Sequence, residues 1–475
     1  MKVLLISANV SSEPYAVYPL GMSMIAGALD RAGHEVLQFD FLHAQMSLDA
    51  VVRAIREFEP GVIGMSIRNI DSVNMLNEKR YIDTAAEIVR TIRSHTDVKV
   101  VIGGSAVSIM PEKIMEAVRA DYAIVGEGEH LMVELVEKVG RGEYPSSEIL
   151  RLPQMLRGEQ FATPLYDSTL MQFYLQQGKI ANVQTKRGCT FKCVYCNYPV
   201  LEGRAIRAKN ADLVVDTMEQ LVSEHGAEHI FFVDSVFNDS ENEFLEIPKA
   251  MKRRGVRIPW TGFFKPEGLD DESVGLMAET GLAHAEIGAD AATDRTLKSL
   301  AKKYRYPDIV ENNALLGRHG VHSAHFFMFG GPGETQETVR EGIDNIRSLE
   351  NTVSFISLGL RIFPGTPLAK LADQHGLYER DYQSLDPIYY IAPGLDVDWL
   401  YDQLLEGFGD LRHCVFPPHS LDRSLQFLYK LGRSGFLWEM VIPGNEPRRR
   451  RRGRPRQSRV AGSMRISRER GTARD

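Results

Sequence analysis

Three cysteines, Cys189, Cys193 and Cys196, fall within eight positions of one another in a chain of 475 residues that has a single further cysteine, Cys414. So few thiols in so long a chain do not make a disulfide framework, and their clustering points to a metal site in a reducing compartment, with the cytoplasm as the expected location. Three thiolates can hold three irons of a 4Fe–4S cluster and leave the fourth iron open to a chelating group. Zinc also takes thiolates, but a structural zinc site closes a tetrahedron with four ligands. The fourth would have to come from distant Cys414 or from a histidine. A cluster of inert thiols is the third reading.

The elements that position this loop alternate between strand and helix. In the first 140 residues, strands are expected at 2–7, 36–39, 61–66, 98–103 and 123–125, with helices at 20–32, 48–58 and 81–95. Such alternation predicts a doubly wound parallel sheet, Rossmann-like, covered by helices on both faces. Ligands of such sheets sit beyond the carboxyl ends of the strands, where Ser66, Gly103-Gly104 and Gly126-Glu127-Gly128 collect here. Residues 141–182 are expected to be a linker. A second alternation follows, with strands at 183–185, 229–233, 260–264, 285–288, 323–329 and 355–360. Six strand–helix units over 183–370 suit a partial (β/α)6 barrel, since eight units need about 250 residues. Residues 371–445 read as a mixed, largely helical accessory region. Leu400, Leu404, Phe408, Phe427, Leu428 and Trp438 are its expected core; Tyr389, Tyr390, Phe408 and Trp438 could instead line an apolar pocket.

The formal charge of −7 is unevenly spread. Residues 448–475 hold 12 arginines against Glu469 and Asp475, so the tail from 446 to 475 is strongly basic and is expected to be disordered. The body is correspondingly acidic, which argues against nucleic-acid binding. The opening apolar run is too short for a secretory signal, and no stretch approaches the 18 apolar residues of a membrane span.

The loop Arg187-Gly188-Cys189-Thr190-Phe191-Lys192-Cys193-Val194-Tyr195-Cys196 resembles the cysteine motif of the radical S-adenosylmethionine (AdoMet) superfamily. Phe231-Phe232-Val233-Asp234, Glu286-Ile287-Gly288-Ala289-Asp290, Gly330-Gly331-Pro332-Gly333-Glu334-Thr335 and Phe363-Pro364-Gly365-Thr366-Pro367 are similar to later segments of that family. Asp290 and Ala291 stand where the family usually has Glu and Ser. The resemblance implies a 4Fe–4S cluster whose open iron binds AdoMet, and one-electron reduction that yields a 5′-deoxyadenosyl radical. It also implies an external one-electron donor such as flavodoxin or ferredoxin. Asp234 and Asp290, at strand ends, are the expected AdoMet contacts; the alternative for each is a helix cap.

The first 140 residues are similar to the cobalamin-binding domain that precedes the barrel in one subclass of this family. The matching pieces are Tyr18-Pro19-Leu20-Gly21, Gly33-His34-Glu35-Val36, Gly103-Gly104-Ser105 and Val125-Gly126-Glu127-Gly128-Glu129. The Asp-x-His-x-x-Gly motif that supplies a histidine to cobalt is absent, so the lower corrin face is expected to lack that bond. Arg68, after the third strand, is placed near cobalt in this reading, or else paired with Asp71 or with a propionamide of the corrin. The resemblance implies a methyltransferase that moves a methyl group from methylcobalamin to an unactivated carbon of a small-molecule or lipid substrate, after hydrogen abstraction by the adenosyl radical. Cyclisation, rearrangement or oxidation is the alternative, and a non-catalytic iron–sulfur or corrinoid-binding protein the lesser one.

Overall fold

A computed structural model describes residues 1–377 and 384–444. The arginine-rich tail lies outside them. Strands β1 (Lys2–Ser7), β2 (Glu35–Asp40), β3 (Val62–Ser66), β4 (Lys99–Gly103), β5 (Tyr122–Val125) and β6 (Ile149–Arg151) form one parallel sheet in the order β2-β1-β3-β4-β5-β6. The strands are β-branched and apolar because both faces are covered: Val3 and Leu5 face one helical layer, Leu4 and Ile6 the other. The strand order reverses between β1 and β3, the switch point at which such sheets take ligands.

The expected linker does not hang free. Its residues 149–151 pair with β5 and extend the first sheet, and Gly158 lies so close to Ala208 that a Cβ would stand 1.7 Å from the Ala208 carbonyl oxygen. Apolar Leu156 and Phe161, buried here, explain the difference: a short strand flanked by polar residues has no periodicity to announce it.

The second sheet is built from β7 (Ile180–Val183), β10 (His229–Phe232), β11 (Trp260–Phe264), β12 (Leu282–Asp290), β13 (His322–Phe329), β14 (Thr352–Leu358) and β17 (Cys414–Val415), all parallel and in that order. The small hairpins β8 (Lys186–Arg187) with β9 (Arg207–Ala208), and β15 (Leu360–Arg361) with β16 (Tyr389–Tyr390), flank it. Six strands are those expected, the first displaced toward the amino terminus. The seventh, two residues long, comes from the accessory region and pairs with Ser354 and Phe355. Alternate residues point into the lumen, where Phe231, Ala324 and Val353 pack on Phe436, Trp438 and Ile442 from the carboxy-terminal segment. That segment plugs the lower end of the barrel.

Leu400, Leu404, Phe408 and Trp438 are buried as expected, whereas Phe427 is 62% exposed. The helix Asp422–Lys430 turns Leu425 and Tyr429, four residues apart, inward instead. No helix among the described residues is long and apolar enough to cross a membrane.

Candidate active site

The cysteine loop leaves β8 through Gly188, whose φ is +99°. A Cβ at this position would stand 1.9 Å from the Ala205 carbonyl oxygen, so no side chain fits. Cys189 is buried, and Cys193 and Cys196 are half-buried. Burial pushes the Cys196 thiol up to about 12 and raises that of Cys189 as well. Thiols so placed become thiolates by binding metal. A structural zinc site closes with four ligands, whereas three thiolates complete the protein's share of a cluster with one open iron. The three-thiol donor set therefore fits a cluster better than one ion.

Beside the loop stands Lys302, which sequence reasoning missed. Its Nζ lies 3.1 Å from Cys193 Sγ and 3.5 Å from the Tyr195 hydroxyl, and it forms an ion pair with Asp290. Burial is the largest single influence and works against the lysine charge, but Asp290, Tyr195, Tyr304 and Cys193 together outweigh it and hold its pKa well above the ordinary lysine value. Asp290 reaches this position because β12 ends in an irregular register with β13 and Asp290 takes a left-handed φ of +67°. It lines the central cavity.

Asp234 has a different environment. It is fully buried, and its carboxylate accepts from the Thr185 amide at 2.7 Å, the Lys186 amide at 3.2 Å and the Thr185 hydroxyl. It ties β10 to the turn between β7 and β8 and is not among the cavity-lining residues. It caps no helix.

The cavity, about 880 Å³, joins the carboxyl ends of β1, β3, β4 and β5 to the cysteine loop and the upper lumen. Ser66, Arg68, Gly103, Gly104, Gly126, Glu127 and Gly128 all line it, as do Tyr195 and Cys196. Gly104 is obligatory: its φ is +102°, and a Cβ would stand 2.5 Å from the Ile67 carbonyl oxygen. Ser108 binds the floor together, donating to the Gly104 carbonyl at 3.0 Å and accepting from the Gly126 amide at 2.8 Å. Turns drawn this tight leave a broad concave surface of the kind a planar corrin requires.

Arg68 is exposed to the cavity and does not pair with Asp71, whose carboxylate is taken by buried Arg361 at 2.8 Å. Ser105 donates to the Arg68 carbonyl and fixes its backbone. His34 and His43 do not line the cavity; His43 packs edge-on against Phe173.

Glu127 carries a second duty. Its carboxylate accepts from Arg207 at 2.6 Å, Arg187 at 3.3 Å and the Leu156 amide at 2.6 Å, while Glu129 accepts from Arg187 at 2.6 Å. The residue two before the first cysteine is thus clamped by the amino-terminal domain. Deeper in, Asn182, Phe231, Phe263, Phe326 and Met328 line the cavity floor, and both amide atoms of buried Asn182 lack a partner. Tyr390, Phe408 and Trp438 are core and line no part of it; nor does Tyr389.

A doubly wound sheet and a partial barrel that share one cavity beside a three-thiol loop define a radical AdoMet enzyme. Residues 6–136 match the B12 binding domain family, and residues 183–346 match the Radical SAM superfamily. The chain belongs to the radical SAM enzymes that carry a cobalamin-binding domain, and its cofactors are a 4Fe–4S cluster, AdoMet and cobalamin. It is 27% identical to the tryptophan 2-C-methyltransferase of Streptomyces laurentii over 78% of this chain and 74% of that one. It is 26% identical to an uncharacterised methyltransferase of Pyrococcus horikoshii over 82% and 87%. The same fold occurs in the radical AdoMet methyltransferase TsrM of Kitasatospora setae, solved with tryptophan and an AdoMet analogue, at a TM-score of 0.82 and 23% identity over 93% of this chain and 97% of that one.

Proposed function

We propose that this chain is a cobalamin-dependent methyltransferase acting on a carbon of a small, flat, apolar-faced substrate. The observation that carries the reading is the single cavity of about 880 Å³ that runs from the strand ends of the first sheet past Cys196 to the aromatic lumen floor. Methyl donor, sulfonium cofactor and substrate then share one space. Bound there, the cofactors supply a transferable methyl group and a hydrogen-abstracting radical. The methyltransferase activity of the Streptomyces relative supports the same reading.

In this reading Cys189, Cys193 and Cys196 hold three irons. Asp290, fixed by Lys302, orients the polar end of AdoMet, and Asp234 acts as a positioning residue through Thr185. Ser66 and the turns at Gly103, Gly104, Gly126 and Gly128 cradle the corrin, with Glu127 holding the cysteine loop against it. Arg68 would lie beside the corrin, where its guanidinium stays protonated and would not serve as a practical cobalt ligand. Phe231, Phe263 and Phe326 stack on the substrate while Asn182 pairs with a donor and an acceptor on its edge, since a buried amide without partners costs about 1–3 kcal/mol. A flavodoxin- or ferredoxin-class donor in the cytoplasm delivers the electron.

The test is anaerobic reconstitution with iron, sulfide and hydroxocobalamin, then turnover with AdoMet and a panel of planar aromatic compounds bearing amide or amine groups. Product heavier by one methylene, with S-adenosylhomocysteine, is the expected result. 5′-Deoxyadenosine formed without S-adenosylhomocysteine overturns methyl transfer in favour of cyclisation, rearrangement or oxidation.

A further inference from the structure

At the opposite end of the barrel from the cysteine loop, three side chains converge that the reaction does not use. His284 and His322 face each other across β12 and β13, in register near the start of their strands. Glu439 reaches them from the short helical turn Leu437–Val441, the segment whose Trp438 plugs the lumen. Glu439 Oε2 lies 2.9 Å from His284 Nε2 and 2.8 Å from His322 Nδ1, and the three atoms all lie within 4.8 Å of one another. No other set of three His, Cys, Asp or Glu residues among the described ones is drawn together in this way. We propose that His284, His322 and Glu439 bind one divalent transition-metal ion of the zinc class and that this ion locks the carboxy-terminal plug to the barrel floor.

Two imidazole nitrogens and one carboxylate oxygen suit zinc, and suit magnesium or calcium poorly, because those ions prefer all-oxygen sites. Tetrahedral zinc, with ligand bonds of about 2.0–2.2 Å, sets neighbouring ligand atoms about 3.3 Å apart, so the two nitrogen–oxygen pairs, at 2.9 and 2.8 Å, have to open by about half an ångström or less. The site is anchored on one side and open on the other. The His284 side chain is 8% exposed and packs edge-on against Trp438, whereas those of His322 and Glu439 are each 34% exposed and leave a path for the ion and room for a water ligand. His284 Nδ1 is buried without a partner, so the ion would lack the usual outer hydrogen bond on that ring and bind less tightly than a fully supported site. Asp290 lies six positions along β12 from His284, about 20 Å away at the rise of an extended strand, so the ion is remote from the cluster. Its effect is mechanical: it ties β12 and β13 to the plug that keeps water out of the lumen.

The experiment uses the full chain with its cluster and cobalamin in place, so that the cysteine loop is occupied. The enzyme is incubated anaerobically with a small excess of zinc and desalted; zinc and iron per chain are then measured by mass spectrometry, with a thermal melt of the same samples. The expected result is about one retained zinc per wild-type chain and a raised melting temperature. H322A and E439Q should each drop retained zinc about tenfold and melt without a zinc-dependent shift, while C414A behaves as wild type. Unchanged iron content in each variant reports that its fold and cluster survive. Wild-type enzyme that retains no zinc, or zinc retained equally by H322A and E439Q, overturns the proposal and leaves the triad a hydrogen-bonded clasp only.

Discussion

Lys302 Nζ lies 3.1 Å from Cys193 Sγ while paired with Asp290, so one buried ammonium joins a cluster-side sulfur to a carboxylate that lines the cavity. A positive charge beside the cluster favours its reduced, more negative state. Asp290 offsets part of that effect. K302M is expected to keep its iron and to lower the cluster reduction potential by on the order of 100 mV, as Coulomb energies at an effective dielectric near 20 allow. K302R should fall between the two. A redox titration followed by electron paramagnetic resonance makes the measurement; a potential equal to that of the wild type would exclude the electrostatic role.

The three cysteines should act as a unit. Cys189→Ala, Cys193→Ala and Cys196→Ala are each expected to cut iron after reconstitution to well under half of the wild-type content. Cys414→Ala should leave it intact, because Cys414 is buried in β17 away from the loop. Iron and sulfide assays on the four proteins decide this.

Arg187 should be a stability residue as much as a cluster-loop residue. Replacing it by Met leaves Glu127 and Glu129 buried with less positive charge, a change that costs about 3–5 kcal/mol where a buried pair is broken. The pH dependence carries the sign. Burial alone raises the Glu129 pKa, but the Arg187 charge and hydrogen bond outweigh it and leave it lowered. A lowered folded pKa contributes stability that is full above the unfolded value near 4.5 and is lost as pH falls through the folded one. In R187M the burial effect dominates, so Glu129 should instead destabilise the fold as pH rises above about 4.5. Melting temperatures of both proteins from pH 4 to 8 should therefore diverge with rising pH; parallel curves would refute the pairing as the cause.

Asn182→Leu tests the substrate reading. The variant keeps the size and burial of the side chain but removes both amide partners, so KM should rise about 5- to 150-fold, the equivalent of 1–3 kcal/mol. Cluster and cobalamin content should be unchanged. An unaltered KM for the methylated compound would remove Asn182 from recognition.

Arg68→His offers a spectroscopic check. If position 68 faces the lower corrin side, an imidazole there should coordinate cobalt and shift the visible spectrum of the bound cobalamin; Arg68→Ala should bind cobalamin without that shift. Identical spectra for the two would place residue 68 away from the metal.

Much of this molecule was legible along the chain because the signals are local. Cysteine spacing within one loop, β-branched runs ending in glycine pairs, and helical spacing between them need only near neighbours to form, and they marked both β/α regions and the cavity-lining turns. Two features had no such signal. β6 and β17 are strands of three and two residues, which exist because a neighbouring strand offers them hydrogen bonds. Asp234 follows β10 and Asp290 ends β12, yet one is consumed by Thr185 and Lys186 while the other turns toward the cavity on a left-handed backbone. Residue type and spacing alone determined the thiol chemistry and the alternating elements. Tertiary structure decided which charges meet, since Lys302 with Cys193, Arg187 with Glu129 and His284 with Glu439 are 58 or more residues apart and only the packing of strands and plug brings them within bonding distance.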